Sequence, residues 1–369
     1  MKKIIILCMV FLSVTYITSC KATEISNEDV YNKYFEISGA DNLTEALPND
    51  VKDELEEYDI LNFDGEFSNK FNPENVFESI FCFIKSKGKR PIIAGCSILA
   101  ILLFSSAFGG LFEKNKSINF VVTLGIVAAA VIPAASTVVT CGSVIKSVSI
   151  FMLSFVPIFA GVLILSGKSL SAAGYSSIML FSSEAVSYIS SFFVLPLIST
   201  QLSLSVGSSL LNEIDTSSVN RAIKRVSMWI LSLMTTILLG ILGVQTLVNG
   251  SSDSLALKTT KFLVGTTVPI VGTAVSEAIS TVTGCIKILN SSVAVFGIVA
   301  LALMILPIII ELLLYRVVLL ITSSLADMLS LKKASELIKS IDSTYAFSIG
   351  ILILVSALFI ISITMVAMV

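Results

Sequence analysis

The sequence predicts an all-α fold, a polytopic helical membrane protein with about six to eight transmembrane helices and a small N-terminal soluble segment. Three observations carry that prediction. The 369 residues are 55% hydrophobic and only 14% charged, against roughly 25% charged in soluble domains. The mean hydropathy is +0.94. From Pro91 onward, apolar runs long enough to cross a roughly 30 Å hydrocarbon core recur, each followed by a polar break.

Taken in order, residues 1–20 read as a signal peptide: Lys2 and Lys3 form a basic start, an apolar run follows, and small residues close it. The ending Ile17-Thr18-Ser19-Cys20 also fits a relaxed lipoprotein cleavage box, in which Cys20 would be lipidated and become the new N-terminus. An uncleaved anchor is the other reading. Residues 21–84 form an acidic extracytoplasmic segment, since 16 of the 26 acidic residues lie between Lys21 and Glu78 against four lysines. Turn formers such as Gly39, Pro48, Gly65 and Pro73 are spread through it. The charge around Asp53, Glu54, Glu56 and Glu57 reads as a solvated helix face.

Residues 85–369 form the multi-pass membrane domain, with candidate spans at 92–112, 118–140, 148–166, 174–196, 226–248, 262–286, 291–313 and 344–369. The tract from Ser291 to Leu331, with Pro307, Glu311 and Arg316 in its middle, reads either as one kinked helix that emerges from the membrane or as two short spans. With these spans, alternation puts the basic clusters Lys85–Arg90 and Arg221–Arg225 on one side, which the positive-inside rule makes cytoplasmic. A working signal peptide would instead export the segment leading into Lys85. The two signals conflict unless a further segment near Val76 to Ile84 enters the membrane.

Several function classes fall away. No histidine occurs, which removes the commonest general base at neutral pH and the commonest metal ligand. Cys82, Cys96, Cys141 and Cys285 are scattered without a CxxC pair, so neither a metal site nor a disulfide framework is indicated. The run Ser166-Gly167-Lys168-Ser169 resembles the end of a phosphate-binding loop, but Val162 stands where that loop needs its first glycine. No cofactor is implied. Basic residues come in short juxtamembrane groups without interleaved aromatics, which argues against nucleic acid.

The stretch Lys258 to Asn290 is apolar enough to enter a bilayer yet carries a polar stripe: Thr266, Thr273, Glu277, Ser280, Gly284 and Lys287 recur at helical spacing. Ionisable residues at bilayer depth are costly and informative. Glu184, Glu277, Glu311 and Arg316 are the cases here. Glu311 and Arg316 stand five apart, off the favourable spacing, so each is expected to meet partners on other helices. Glu277 has two readings, a carboxylate held inside a bundle by Thr273 and Ser280, or part of a stripe lining a water-filled path. The segments around Pro157 and Gly161 and around Pro269 and Gly272 share Val-Pro-Ile, which reads as plain helix packing or as paired broken helices at a midplane site. Gly95, Gly109, Gly110, Gly240, Gly243, Gly265 and Gly272 permit close helix approach.

Four blocks carry a family resemblance: Ser154-Phe155-Val156-Pro157 with Gly161, the Gly243-Val244-Gln245 turn, Leu257-Lys258-Thr259-Thr260-Lys261-Phe262, and above all Val268 to Gly284. In order and spacing, over roughly residues 90–369, they resemble the stage III sporulation protein AE family of endospore-forming bacteria. The resemblance implies a multi-pass subunit in the mother-cell membrane around the forespore, part of a secretion-like channel complex needed for endospore formation. Its implied partners are the other membrane subunits of that complex and the lipid bilayer, with a homo-oligomer left open. No catalytic residue is attributed to the family, so an enzyme is not expected. The alternative, motivated by the buried carboxylates, is a stand-alone secondary transporter or permease.

Overall fold

The computed structural model describes residues 43, 47–48, 51–52, 85, 87–107, 116–210, 217–248 and 272–368. Cys20 with the whole leader, Gly109, Gly110, Gly265 and Pro269 lie outside the described residues. Every regular element described is helical: α1 (Lys89–Ala107), α2 (Lys116–Leu165), α3 (Ser169–Ile189), a π turn (Ser190–Val194), α4 (Leu195–Leu210), α5 (Ser217–Val248), α6 (Gly272–Met328) and α7 (Lys332–Met368). With α3, the π turn and α4 running as one rod, six helices are long and apolar enough to cross a membrane. The chain is an all-α polytopic membrane protein.

Two expected breaks are absent. Residues 118–140 and 148–166 belong to one helix, α2. The polar stretch between them does not interrupt it, because its hydroxyls turn back onto the helix: Thr140 Oγ1 donates to the Ser136 carbonyl at 3.1 Å, Ser143 Oγ to Thr140 at 2.8 Å and Ser149 Oγ to Ile145 at 3.0 Å. Such bonds satisfy a hydroxyl without water, so a Ser/Thr run marks no exit from the apolar core. Likewise 262–286 and 291–313 merge, from Gly272 on, into α6, which runs through Pro307 to Met328 as the single long helix of the two readings. At about 1.5 Å per residue, the 50 residues of α2 and 57 of α6 reach about 75 and 85 Å. Each is far longer than one perpendicular crossing requires.

Two tight turns reverse the chain with the same hydrogen bonds. After α2, the Lys168 N–H donates to the Leu163 carbonyl at 3.0 Å and the Gly167 N–H to Ile164 at 2.9 Å, with Gly167 at φ 78°. After α6, Leu331 donates to Ala326 at 2.9 Å and Ser330 to Asp327 at 3.0 Å, with Ser330 at φ 61°. Both are Schellman caps, in which a left-handed residue lets the last carbonyls find donors. Ser166-Gly167-Lys168-Ser169 is therefore a helix stop inside a hairpin. It cradles nothing.

The α6–α7 hairpin is the centre of the bundle; α2 lies along both its helices, α1 packs on α2 and α6, α4 on α2 and α7, and α5 on α7, α4 and α3. The α2–α3 seam is aromatic: Phe151, Phe155 and Phe159 stack at centroid distances of 5.6 and 5.4 Å, and Phe159 meets Tyr175 edge-on at 5.4 Å. Gly297 of α6 lies directly under the Phe155 ring, and any Cβ there would overlap it. That contact docks the two hairpins. Leu43, Leu47 and Val51, four residues apart within the acidic segment, are buried and belong to the apolar core.

Polar cross-links tie the outer helices to α7. Gln245 is fully buried, with its Nε2 donating to the Ser362 carbonyl at 3.1 Å while Ser362 Oγ donates to Gln245 Oε1 at 2.7 Å. The expected turn at Gly243-Val244-Gln245 is thus interior to α5; Gln245 spends its amide on a neighbouring helix. Gln201 Nε2 reaches Ser343 Oγ at 2.7 Å, and Ser205 Oγ lies 2.6 Å from Ser340 Oγ. At the π turn the Leu195 N–H bonds to Ser190, five residues back, and Pro196 follows with no N–H to give.

Candidate functional site

Where α6 crosses α2 and α7, the bundle encloses a carboxylate. Glu311 is 7% exposed. One turn further along α6, Tyr315 stacks on Tyr345 of α7 with centroids 5.3 Å apart and planes 12° from parallel. From α2 come Cys141 and, one turn before it, Thr137, both buried. Glu311 is close enough to act electrostatically on Cys141, Tyr315 and Tyr345. The Thr137 hydroxyl donates to the Pro133 carbonyl at 2.8 Å; it stands beside the Tyr345 hydroxyl but outside hydrogen-bond geometry.

Among the described residues nothing forms a hydrogen bond or an ion pair with Glu311. A buried carboxylate without a counter-ion is costly. Arg90 of α1 acts electrostatically on the same Tyr315, which puts a cation in the neighbourhood without an ion pair among the described residues. Two phenols and a thiol surround it, so the cluster gathers four ionisable side chains inside an apolar bundle.

Two ion pairs form elsewhere in the same hairpin. Arg316 Nε donates to Asp342 Oδ1 at 2.8 Å and Nη2 to Oδ2 at 3.3 Å, a two-pronged contact between α6 and α7 that is about a third exposed. Lys339 Nζ meets Asp327 Oδ2 at 2.7 Å near the turn. Arg316 thus finds its partner on another helix, as its spacing from Glu311 implied; Glu311 finds none among the described residues.

The remaining expected residues scatter. Glu184 is exposed on the outer surface of α3, not enclosed, because it lies opposite the face that buries Tyr175, Met179 and Val186. Pro157 is also exposed on α2, next to the fully buried Val156, with Gly161 half-buried near that helix's end. Gly272 opens α6, and Thr273, Glu277 and Ser280 follow on helical backbone at the expected spacing; their side chains, like Pro269, lie outside the described residues. Gly95 packs directly under Val318 of α6, while Gly240 and Gly243 face open space. Sequence reasoning missed Tyr315, Tyr345, Cys141, Thr137 and Asp342. Of these only Tyr315 carried a local signal, four residues from Glu311 on one helix face.

The comparisons with known proteins follow the same outline. Stage III sporulation protein AE of Bacillus subtilis (strain 168) is 22% identical over 262 residues, covering 68% of this chain and 63% of that protein. The chain therefore aligns with a little under two thirds of that relative's length. No solved structure matches the chain. The family profile described as Stage III sporulation protein AE matches residues 67–369, a region that takes in all six candidate spans. The chain belongs to the stage III sporulation protein AE family.

Proposed function

We propose that this chain is a non-enzymatic membrane subunit of a channel or secretion-like complex between mother cell and forespore, required for endospore formation. Membership of the family supports a role in sporulation. The observation that carries the reading further is Glu311, a carboxylate enclosed by three helices with no ion-pair partner among the described residues. A polar interior point in an apolar bundle suits a path or a gate, since intramembrane ionisable residues are rare and mark such sites. The chain would sit multi-pass in the mother-cell membrane with the complex's other subunits.

A spore-forming host lacking the chain is expected to stop before mature spores form, and normal spore counts in that strain would overturn the reading. In the complemented strain, Glu311→Gln is expected to cut heat-resistant spores at least tenfold while the protein still accumulates in the membrane. The same residue supports one alternative, a self-sufficient secondary transporter. Purified protein in liposomes that moves a solute against its gradient would favour it over a subunit role.

A further inference from the structure

Two charges stand in mid-helix on the outside of the α2–α3 hairpin. Lys146, on α2, is 30 residues past the start of that helix and 19 before its end, and it is exposed. Glu184, on α3, is 15 residues past the start of α3 and exposed as well. Among the described residues neither forms an ion pair. Lys146 lies 21 residues before Gly167 and Glu184 lies 17 after it, so an antiparallel hairpin sets them about 6 Å apart along its axis. Opposite charges at nearly one depth, both turned out of their own chain, call for a partner that supplies the complement to each.

The surfaces around them differ in the way an interface needs. On α2 the exposed residues near Lys146 are Ser136, Thr140 and Ser143, each with its hydroxyl bonded to its own helix, together with the branched Val139 and Ile150. Small, internally satisfied side chains allow close helix approach within a bilayer. On α3 the residues one turn either side of Glu184 are large, Phe181 at 73% and Tyr188 at 59% exposure. We propose that this outer face is a self-interface: a second copy, related by a two-fold axis along the membrane normal, sets its Lys146 against Glu184 and its Glu184 against Lys146. Such an axis brings α2 of each copy over α3 of the other, so both charge pairs form together. Lipid could cover the aromatic stripe, but its cationic groups stay at the headgroup level. The inference stands apart from the proposed function, because it concerns the purified chain alone.

The test uses the full chain in nanodiscs, with mass measured by light scattering. The wild type is expected to be a dimer. Lys146→Glu alone and Glu184→Lys alone each place like charges together twice and are expected to weaken dimerisation at least tenfold. Co-expressed with different tags, these two variants are expected to pair with each other, since that mixed dimer has both charge pairs intact; pairing within one chain cannot produce this result. Lys146→Gln and Glu184→Gln, which only neutralise, should weaken the dimer less and guard against misfolding, with an unchanged melting temperature as control. A monomeric wild type, single charge reversals that dimerise as well as wild type, or well-folded single variants that fail to pair when mixed would each overturn the interface.

Discussion

The α2–α3 and α6–α7 hairpins are closed by the same turn and share an aromatic seam, to which the second adds an ion pair. In their most apolar stretches α6 and α7 are 83% and 67% buried, against 56% in α2 and 33% in the α3–α4 rod, which makes α6–α7 the inner hairpin and α2–α3 an outer one. The outer seam is the Phe151, Phe155, Phe159 and Tyr175 ladder. The inner seam carries Tyr315 on Tyr345 and Arg316 on Asp342. On the inner hairpin Arg316 is given a partner by the helix beside it, whereas on the outer one Lys146 forms no ion pair among the described residues. Arg316 and Lys146 are the two cases side by side.

The two hairpins meet where Phe155 covers Gly297, so the largest effect on the comparison should come from filling that contact. Gly297→Val inserts a branched side chain into the space of an aromatic ring, and overpacking of this kind costs about 3 kcal/mol. The expected outcome is a clearly lower melting temperature in detergent, with a cysteine pair across α2 and α6 no longer cross-linking. If Gly297→Val melts as the wild type does, the hairpins are not docked there.

Next in size is the charged seam. Arg316→Ala leaves Asp342 without its two-pronged donor, at a cost of about 1.5 kcal/mol. The double variant with Asp342→Ala should lose less than the two single losses added together, because the orphaned partner goes too. Additive losses would mean that the pair contributes nothing as a pair. The aromatic seam predicts the opposite sign. Tyr175 is fully buried and its hydroxyl has no partner, so Tyr175→Phe should stabilise the protein by about 1 kcal/mol by removing an unsatisfied group. A loss of stability would show that the hydroxyl does find a bond.

The inner hairpin was harder to foresee than the outer one, for a physical reason. Glu311 could be placed at depth from the apolar run around it, and Arg316 could be assigned a distant partner from its spacing alone. That the partner is Asp342, 26 residues away in the chain, follows only from the position of the turn between them, and a turn at Ser330 lacks the glycine that marks such reversals. Glu184 reads identically to Glu311 in sequence, as one acid in an apolar run; which face of α3 is covered depends on α2 and α5, not on α3. The supposed break at Cys141 to Ser147 failed because back-bonded hydroxyls look polar in sequence and behave as apolar in the helix.

The turns give the smallest effect and the cleanest comparison. Gly167 and Ser330 occupy the same left-handed position, at φ 78° and 61°, with matching hydrogen bonds on either side. Glycine reaches that region without the Cβ clash that a serine meets. Exchanging the two residues therefore separates the local cap from everything the hairpins do elsewhere. Ser330→Gly should relieve the clash but free the unfolded chain, for a net gain of about 0.5 kcal/mol. Gly167→Ser should cost about 1 kcal/mol, since it introduces the clash and removes little unfolded-state freedom. The double exchange should fall between them, near the sum, because the turns cap opposite ends of two different hairpins and share no contact. A Gly167→Ser variant as stable as the wild type would mean that the α2–α3 reversal is held by its aromatic seam and not by its cap. The inner hairpin, with Ser330 already in place, would then be the only one whose turn has been tested by its own sequence.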